Sequence, residues 1–208
     1  MPFLGLFIAV VCLFTFFRKR SNRSQENVTD RFWKRESIAN NTRLQDLSGL
    51  PYITIPFDKF PIGMYENDLL KNYENTLQTL SGQKIVNFGT QTNTDLKITY
   101  GTASLPALTE YEQNFTTLCQ TLTAYAGQLF ERGHTDDART ILEYGISIGS
   151  DLSQNYLLLA KIYQSSGETE RIRELLASAE QLDSLMKRSI VEKLTAMLPE
   201  DTANTPVQ

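Results

Sequence analysis

The C-terminal half of the sequence contains an internal repeat. The residue types that follow Leu122 recur, at the same spacing, after Tyr156, and this fixed interval separates the two copies. The first copy contains Leu122, Tyr125, Ala126, Leu129, Gly133, Thr135, Ala138, Leu142 and Gly145, and the second contains Tyr156, Leu159, Ala160, Tyr163, Gly167, Thr169, Ile172, Leu176 and Ala179. The apolar members recur at three- and four-residue spacing, which is typical of one buried helix face. Because a single unit of this length cannot bury its apolar face alone, the sequence predicts helical hairpins that stack on one another.

The residue types within each copy predict how the hairpin is built. Ala126 and Ala160 are small enough to let two helices approach closely, while larger neighbours fill the surrounding space. Gly133 and Gly167 can adopt the left-handed conformation that ends a helix. Each copy is therefore predicted to be a helix, a tight turn and a second helix.

The start of the second helix in each copy also carries a pattern. Thr135 and Thr169 follow the glycines by two positions, and we expect them to cap the second helix. Asp136, Asp137 and Glu170 come next and would lie at the positive end of the helix dipole. Capping therefore explains these acids without a catalytic role.

This pattern resembles the tetratricopeptide repeat (TPR) family over about residues 119–184. Leu122 and Tyr156 occupy a position where that family often has Trp, Ile172 replaces a common Ala, and Ser150 and Ser184 replace a terminal Pro. The resemblance implies a mainly α fold in which TPR-like helical hairpins form a short array.

The resemblance also implies a concave surface, lined by first-helix residues, that holds a peptide or another helix. The predicted partner-binding groove consists of Thr123, Gly127, Phe130, Gln154, Leu157, Lys161 and Gln164. Family members that bind chaperone C-termini use Lys and Asn at such positions, and Thr123 and Gly127 do not supply them. The expected partner is a protein or peptide whose identity the sequence does not reveal.

Two repeats need cover at both ends, because each end exposes an apolar face. Apolar residues between Leu185 and Leu198 predict an amphipathic capping helix that stops before Pro199. Two candidates exist for the other end. One is a helix from Glu66 to about Leu80, which ends at Gly82, and the other is the face formed by Tyr111, Phe115 and Leu118.

The region before the repeats has mixed character. Pro51, Pro56 and Pro61 exclude a regular helix from the apolar strip at residues 44–65. We interpret the strip as extended chain that packs on the core, with burial by a partner as the alternative. Residues 84–100 alternate apolar and polar side chains around a polar turn, which predicts a short β-hairpin.

The N-terminus has no charged residue from Pro2 to Phe17, and large apolar side chains dominate it. As a helix, residues 1–17 would reach about 25 Å, close to the minimum for a membrane span. A cleaved signal peptide is the alternative, which would make the rest a secreted domain. An anchor is favoured because the segment lacks an initial basic residue and ends in bulky and basic residues that do not suit a peptidase.

The basic residues that follow the apolar segment predict its orientation. Lys and Arg that flank a span stay in the cytoplasm, so the N-terminus is predicted outside and the soluble domain inside. The predicted membrane-interface residues are Arg18, Lys19, Arg20, Arg23 and Trp33. The resulting division is a transmembrane helix (1–17), a basic, irregular linker (18–36), an extended segment with a helix and a hairpin (37–108), the helical domain (109–198) and a disordered tail (199–208).

The sequence predicts a binding or scaffolding protein and not an enzyme. No catalytic, cofactor-binding or metal-binding motif is present, and we expect no cofactor and no small-molecule substrate. Residues 37–208 hold 13 basic and 21 acidic residues, which argues against nucleic acid as a partner. The alternative function is structural: the chain self-associates within a membrane complex through the strip at residues 50–64.

The predicted orientation is testable in intact cells. A membrane-impermeant thiol reagent is expected not to label a cysteine introduced at Thr205, because that residue would lie in the cytoplasm. Permeabilised cells provide the positive control. Labelling of Thr205→Cys from outside would refute the orientation.

Overall fold

The computed structural model describes residues 29–199, which fall into two compact units. The first unit contains residues 29–47 and 92–105, and the second contains residues 48–91 and 106–199. Over residues 29–199 the chain forms eight α-helices and no β-strand, so the predicted mainly α class is confirmed. None of the helices in this part is both long and apolar enough to cross a membrane.

The helices are α1 (residues 29–41), α2 (Asp68–Ser81), α3 (Asn93–Tyr100), α4 (Leu105–Glu131), α5 (Thr135–Ser147), α6 (Ser153–Ser165), α7 (Thr169–Glu180) and α8 (Lys187–Thr195). Short 3-10 turns occur at Phe57–Lys59 and Thr102–Ser104. The predicted membrane helix at residues 1–17 lies outside the described residues, as do all but the first residue of the predicted tail.

Two local predictions for the first part of the chain are wrong. Residues 29–36 are helical, although we predicted an irregular linker there. The β-hairpin predicted at residues 84–100 is absent from the described chain, because its second half is α3. Thr92 and Asp95 form a capping box in which the backbone N–H of Thr92 donates to Asp95 Oδ2 at 3.0 Å and the backbone N–H of Asp95 donates to Thr92 Oγ1 at 3.3 Å. This local helix start overrides the alternation of side chains.

Polar contacts between α3 and α1 organise the first unit. Glu36 on α1 accepts a hydrogen bond from Lys97 Nζ of α3 at 3.1 Å, and it accepts another from the Thr94 hydroxyl. Leu96 on α3 and Ala39 on α1 are fully buried. An ion pair therefore links two helices that each bury an apolar side chain.

From residue 48 onward, the proline-rich strip packs on the core of the second unit, as the intramolecular interpretation predicted. Ile55 and Phe60 are buried, and Phe60 meets the ring of Tyr144 edge to face at 5.5 Å. The Tyr144 hydroxyl donates to the backbone oxygen of Thr54 at 2.9 Å. Burial raises the pKa of Tyr144 to about 12, so the phenol remains a donor at neutral pH.

Helix α2 closely matches the predicted helix at residues 66–80. Asn67 caps it, with its side-chain oxygen accepting from the backbone N–H groups of Leu69 and Leu70. Leu70 and Leu77 are fully buried in the same core as the repeats. Helix α2 therefore shares one apolar core with the repeats.

The two predicted copies form the helical pairs α4–α5 and α6–α7. Seven helical positions of the predicted repeat carry an apolar or small residue in both copies. Every residue at these positions is buried except Leu176, which is half-buried. Gly133 and Gly167 have φ values of 85° and 73°, as expected for left-handed helix ends. After each glycine the next backbone N–H closes the turn: His134 donates to Leu129 at 3.0 Å, and Glu168 donates to Tyr163 at 2.8 Å. These two closing bonds are separated by the same interval as the two copies.

The predicted threonine caps are wrong by one position. Thr135 and Thr169 are the first helical residues of α5 and α7, whereas His134 and Glu168 occupy the cap positions and make no capping bond with their side chains in the described chain. The turns closed by the backbone of His134 and of Glu168 determine where α5 and α7 begin. The two threonines are therefore already part of these helices. The predicted acids in the first turn of each helix are confirmed.

Helix α8 confirms the predicted capping helix and continues the repeat. Ile190 and Leu194 are fully buried, and they follow the buried Tyr156 and Ala160 at the interval that separates the two copies. Helix α8 packs against α6 and α7 and has mostly polar residues on its outer face. It therefore takes the place of the first helix of a third copy and closes the array.

Helices α5 and α6 approach one another at Gly145. A Cβ atom on Gly145 would lie 2.7 Å from Nδ2 of Asn155, whose side chain is only 1% exposed. Gly127 in α4 provides a matched case, because the nearest atom to a Cβ there would be Leu158 Cδ2 at an ordinary 3.9 Å. Both glycines lie inside helices, and neither is among the glycines with positive φ.

We expect Gly145→Ala to lower the free energy of unfolding by about 1–3 kcal/mol, because the buried Asn155 must move. Gly127→Ala should be neutral or raise it by up to about 1 kcal/mol through helix propensity. Urea denaturation of the full chain measures both changes. Equal effects of the two substitutions would contradict the close approach, and adding Asn155→Ala should reduce the cost of Gly145→Ala.

Candidate functional site

Five of the seven predicted groove residues line one concave cavity of about 520 Å³. We call this cavity the groove; its lining is Gly127, Phe130, Glu131, Ser153, Gln154, Leu157, Leu158, Lys161 and Lys193. These residues belong to α4, α6 and α8, which are the first helices of three successive repeat positions. The predicted placement of a groove on the first helices therefore matches the geometry.

Two predicted residues do not line the groove. Thr123 is buried, and its hydroxyl donates to the backbone oxygen of Cys119 at 2.8 Å within α4. Gln164 is exposed, and its Nε2 donates to the backbone oxygen of Met197 at 3.4 Å. Thr123 thus faces the core, while Gln164 links α6 to the chain after α8.

Sequence analysis missed four residues of the lining. Glu131 and Leu158 adjoin predicted residues, and Ser153 begins α6. Lys193 lies on α8, which the sequence predicted only as a capping helix and not as the first helix of a third copy. The continuation of the repeat through Ile190 and Leu194 is the signal that would have placed α8 beside the groove.

The groove combines an apolar floor with a polar rim. Phe130, Leu157 and Leu158 are half-buried, while Lys161 and Lys193 are exposed at the edge. This composition suits a protein segment that inserts an apolar side chain and places polar groups at the border.

The start of α6 adds a polar group to the same lining. The hydroxyl oxygen of Ser153 has almost no contact with solvent and no hydrogen-bond partner within the described chain.

A network of charged residues and one tyrosine joins the helices behind the groove. The Tyr163 hydroxyl on α6 donates to Glu143 Oε1 on α5 at 2.7 Å, and Arg171 on α7 donates to the same oxygen at 3.2 Å. The guanidinium groups of Arg139 and Arg171 lie 5.0 and 5.6 Å from the centre of the Tyr163 ring. Three successive helices therefore meet at one side chain of α6.

The electrostatics of this network favour the charged form of Glu143. Burial acts to raise the pKa of Glu143, but hydrogen bonds from Tyr163 and Arg139, together with the charges of Arg139 and Arg171, lower it overall. Arg139 also binds Glu168 through two nitrogen–oxygen contacts of 2.7 and 3.1 Å. Glu143 is thus held as a carboxylate at neutral pH.

A second buried contact joins α2 to α4. The Tyr125 hydroxyl donates to Glu74 Oε1 at 2.9 Å, and the backbone N–H of Gly63 donates to Glu74 Oε2 at 3.2 Å. Burial and the bond to Glu74 raise the pKa of Tyr125. These bonds satisfy a carboxylate that would otherwise be costly to bury.

The other reactive side chains have structural surroundings. Cys119 is buried, and burial raises the pKa of its thiol to about 12. His134 stacks on Tyr65 with ring centres 3.7 Å apart, and the Tyr65 hydroxyl donates to Asp137 at 2.5 Å. Within residues 29–199, no group of three or more His, Cys, Asp or Glu side chains is arranged to hold a metal ion.

One of the predicted membrane-interface residues lies in the described part of the chain. Trp33 on α1 is 64% exposed and meets the ring of Phe32 edge to face at 5.4 Å. The basic residues Arg18, Lys19, Arg20 and Arg23 lie outside the described residues. Phe32 and Trp33 therefore form an exposed aromatic pair on α1.

None of the protein families, curated proteins or solved structures with which the chain was compared matches it. The tetratricopeptide resemblance therefore rests on the sequence pattern. Function is inferred from the groove and its surroundings in this chain.

Proposed function

We propose that this chain is a membrane-anchored scaffold whose TPR-like helical domain binds a protein partner in the groove. The observation that carries the proposal is the convergence of Gly127, Phe130, Gln154, Leu157 and Lys161 on one cavity. These residues come from α4 and α6, which are separated in sequence, and the resemblance to the tetratricopeptide repeat family had implied that they line one surface.

The shape and composition of the groove favour a peptide or helix as the ligand. Its volume of about 520 Å³ accommodates a few side chains, and its apolar floor has polar residues at both edges. A helix or extended segment that lies across α4, α6 and α8 would bury Phe130 and Leu157 and pair with the rim.

The N-terminal segment supports the membrane anchoring that we propose. The apolar segment at residues 1–17, followed by Arg18, Lys19 and Arg20, would hold the helical domain at the cytoplasmic face of a membrane. Anchoring raises the local concentration of the groove near partners at the same membrane.

Self-association through the strip at residues 50–64 has less support. The chain's own core buries Leu50, Ile55 and Phe60. The large apolar side chain of the strip that remains open to solvent is Met64, which is 71% exposed. A contact between copies would therefore find little apolar surface there.

Site-specific crosslinking tests the groove. A photoreactive benzoylphenylalanine at Gln154 in the full chain, expressed in its native cell, is expected to give a discrete crosslinked protein. The same photoreactive group at Lys71, which is exposed on α2 and outside the groove, serves as the matched control.

A charge reversal at the rim sharpens the test. Lys161→Glu should weaken the Gln154 crosslink at least about threefold, whereas Lys71→Glu makes the same chemical change on α2 and should leave it intact. Identical crosslinked products from the photoreactive group at Gln154 and at Lys71 would contradict the proposal. A product of twice the chain mass from Gln154 would contradict it as well, since the groove would then bind a second copy.

A further inference from the structure

The second unit contains another cavity, of about 630 Å³, that the sequence did not predict. It is formed by the turn that follows α5, the turn between α7 and α8, part of α4 and the loop at residues 87–90. None of the groove residues lines it. We call it the acidic cavity because of its charge.

Unusually exposed apolar side chains border the acidic cavity. Leu185 is fully exposed and Met186 is 43% exposed, although both lie in a short turn between two helices. Phe115 is half-buried in the wall of the same cavity. Adjacent large apolar side chains on a surface are typical of a site that another molecule covers.

The charged residues in the lining all have the same sign. Glu112, Asp151 and Asp183 contribute carboxylates, and the described residues that form the lining include no Lys, Arg or His. Thr90 donates to Asp183 at 2.8 Å and Ser184 donates to Asp151 at 2.6 Å. These donors are neutral hydroxyls, so they orient the negative charges without neutralising them.

Hydrogen bonds hold the walls in place before any ligand binds. Asn87 Nδ2 donates to the backbone oxygens of Ile148 and Gly149 at 3.2 and 3.3 Å, which fixes the loop to the end of α5. The backbone N–H of Met186 donates to Ser184 Oγ at 3.2 Å. A preformed site of this kind requires little ordering when a ligand binds.

We propose that the acidic cavity binds a segment of a partner protein in which bulky apolar side chains lie next to Lys or Arg. The apolar side chains would contact Phe115, Leu185 and Met186, and the cations would pair with Asp151 and Asp183. The groove, by contrast, has two cations, Lys161 and Lys193, against the single acid Glu131, so the two sites would favour segments of different charge. The scaffold would therefore bind two partners on separate surfaces.

A synthetic peptide tests this second site without knowledge of the natural partner. The probe is a fluorescein-labelled amphipathic helix of Leu and Lys, with a twin in which Glu replaces every Lys. The full chain is reconstituted in phosphatidylcholine nanodiscs, and empty nanodiscs provide the blank. We expect saturable binding of the Lys peptide that weakens as salt rises, with at least about tenfold weaker binding of the Glu peptide.

Substitutions in the cavity locate the binding site. Asp151→Asn with Asp183→Asn keeps the side-chain shapes but removes two charges, and it should weaken binding of the Lys peptide about fivefold or more. Leu185→Ser changes a fully exposed side chain and should also weaken binding. Asp58→Asn, an exposed acid outside the cavity, is the matched control and should have no effect.

Three outcomes would overturn the proposal. The first is equal binding of the Lys and Glu peptides, and the second is no binding above the blank. The third is unchanged binding in the cavity variants, which would place the peptide elsewhere. Lys161→Glu in the groove should leave binding of the Lys peptide intact, so this result is independent of the proposed function of the groove.

Discussion

The close approach of α5 and α6 at Gly145 is the contact on which the helical stack depends. Gly145 leaves room for the buried side chain of Asn155, and a single added Cβ atom would occupy that room. Ala126 and Ala160 are fully buried at corresponding positions of α4 and α6. Because each pair of helices is close, the turns at Gly133 and Gly167 can return the chain onto the preceding helix. Small side chains at a fixed interval therefore determine the spacing of the array.

The same spacing builds the groove. Helices α4, α6 and α8 present their exposed faces on one side, while Tyr163, Glu143, Arg139 and Arg171 hold α5, α6 and α7 together behind them. The groove is thus supported by side chains that do not line it. The acidic cavity has a different origin, since it forms where the turns at the ends of α5 and α7 meet the loop at residues 87–90. The array therefore has two cavities with different linings, one for each of the two partners that we propose.

The sequence predicted those parts of the fold that repeat. Burial of Leu122, Tyr125 and Leu129 follows from periodicity, because one face of a helix must leave water. Prediction failed where a local backbone contact decides the outcome: the capping box of Thr92 and Asp95 turns an alternating segment into a helix. Most of the groove was predicted because its residues lie on the repeated helices. Lys193 was missed because the repeat was not followed through Ile190 and Leu194 into α8. The acidic cavity was missed because it depends on how the loops meet the array, which no periodic pattern encodes.

Hydrogen exchange at two backbone amides tests the central claim, that two copies of one helical hairpin stack into a single array. The amide of His134 donates to Leu129 and the amide of Glu168 donates to Tyr163, at equivalent positions of the two copies. If both copies form and share one core, the two amides exchange with similar protection, each more than about a hundredfold slower than in an unstructured peptide. Exchange at the unprotected rate at either amide would show that the copy containing it is not closed as described.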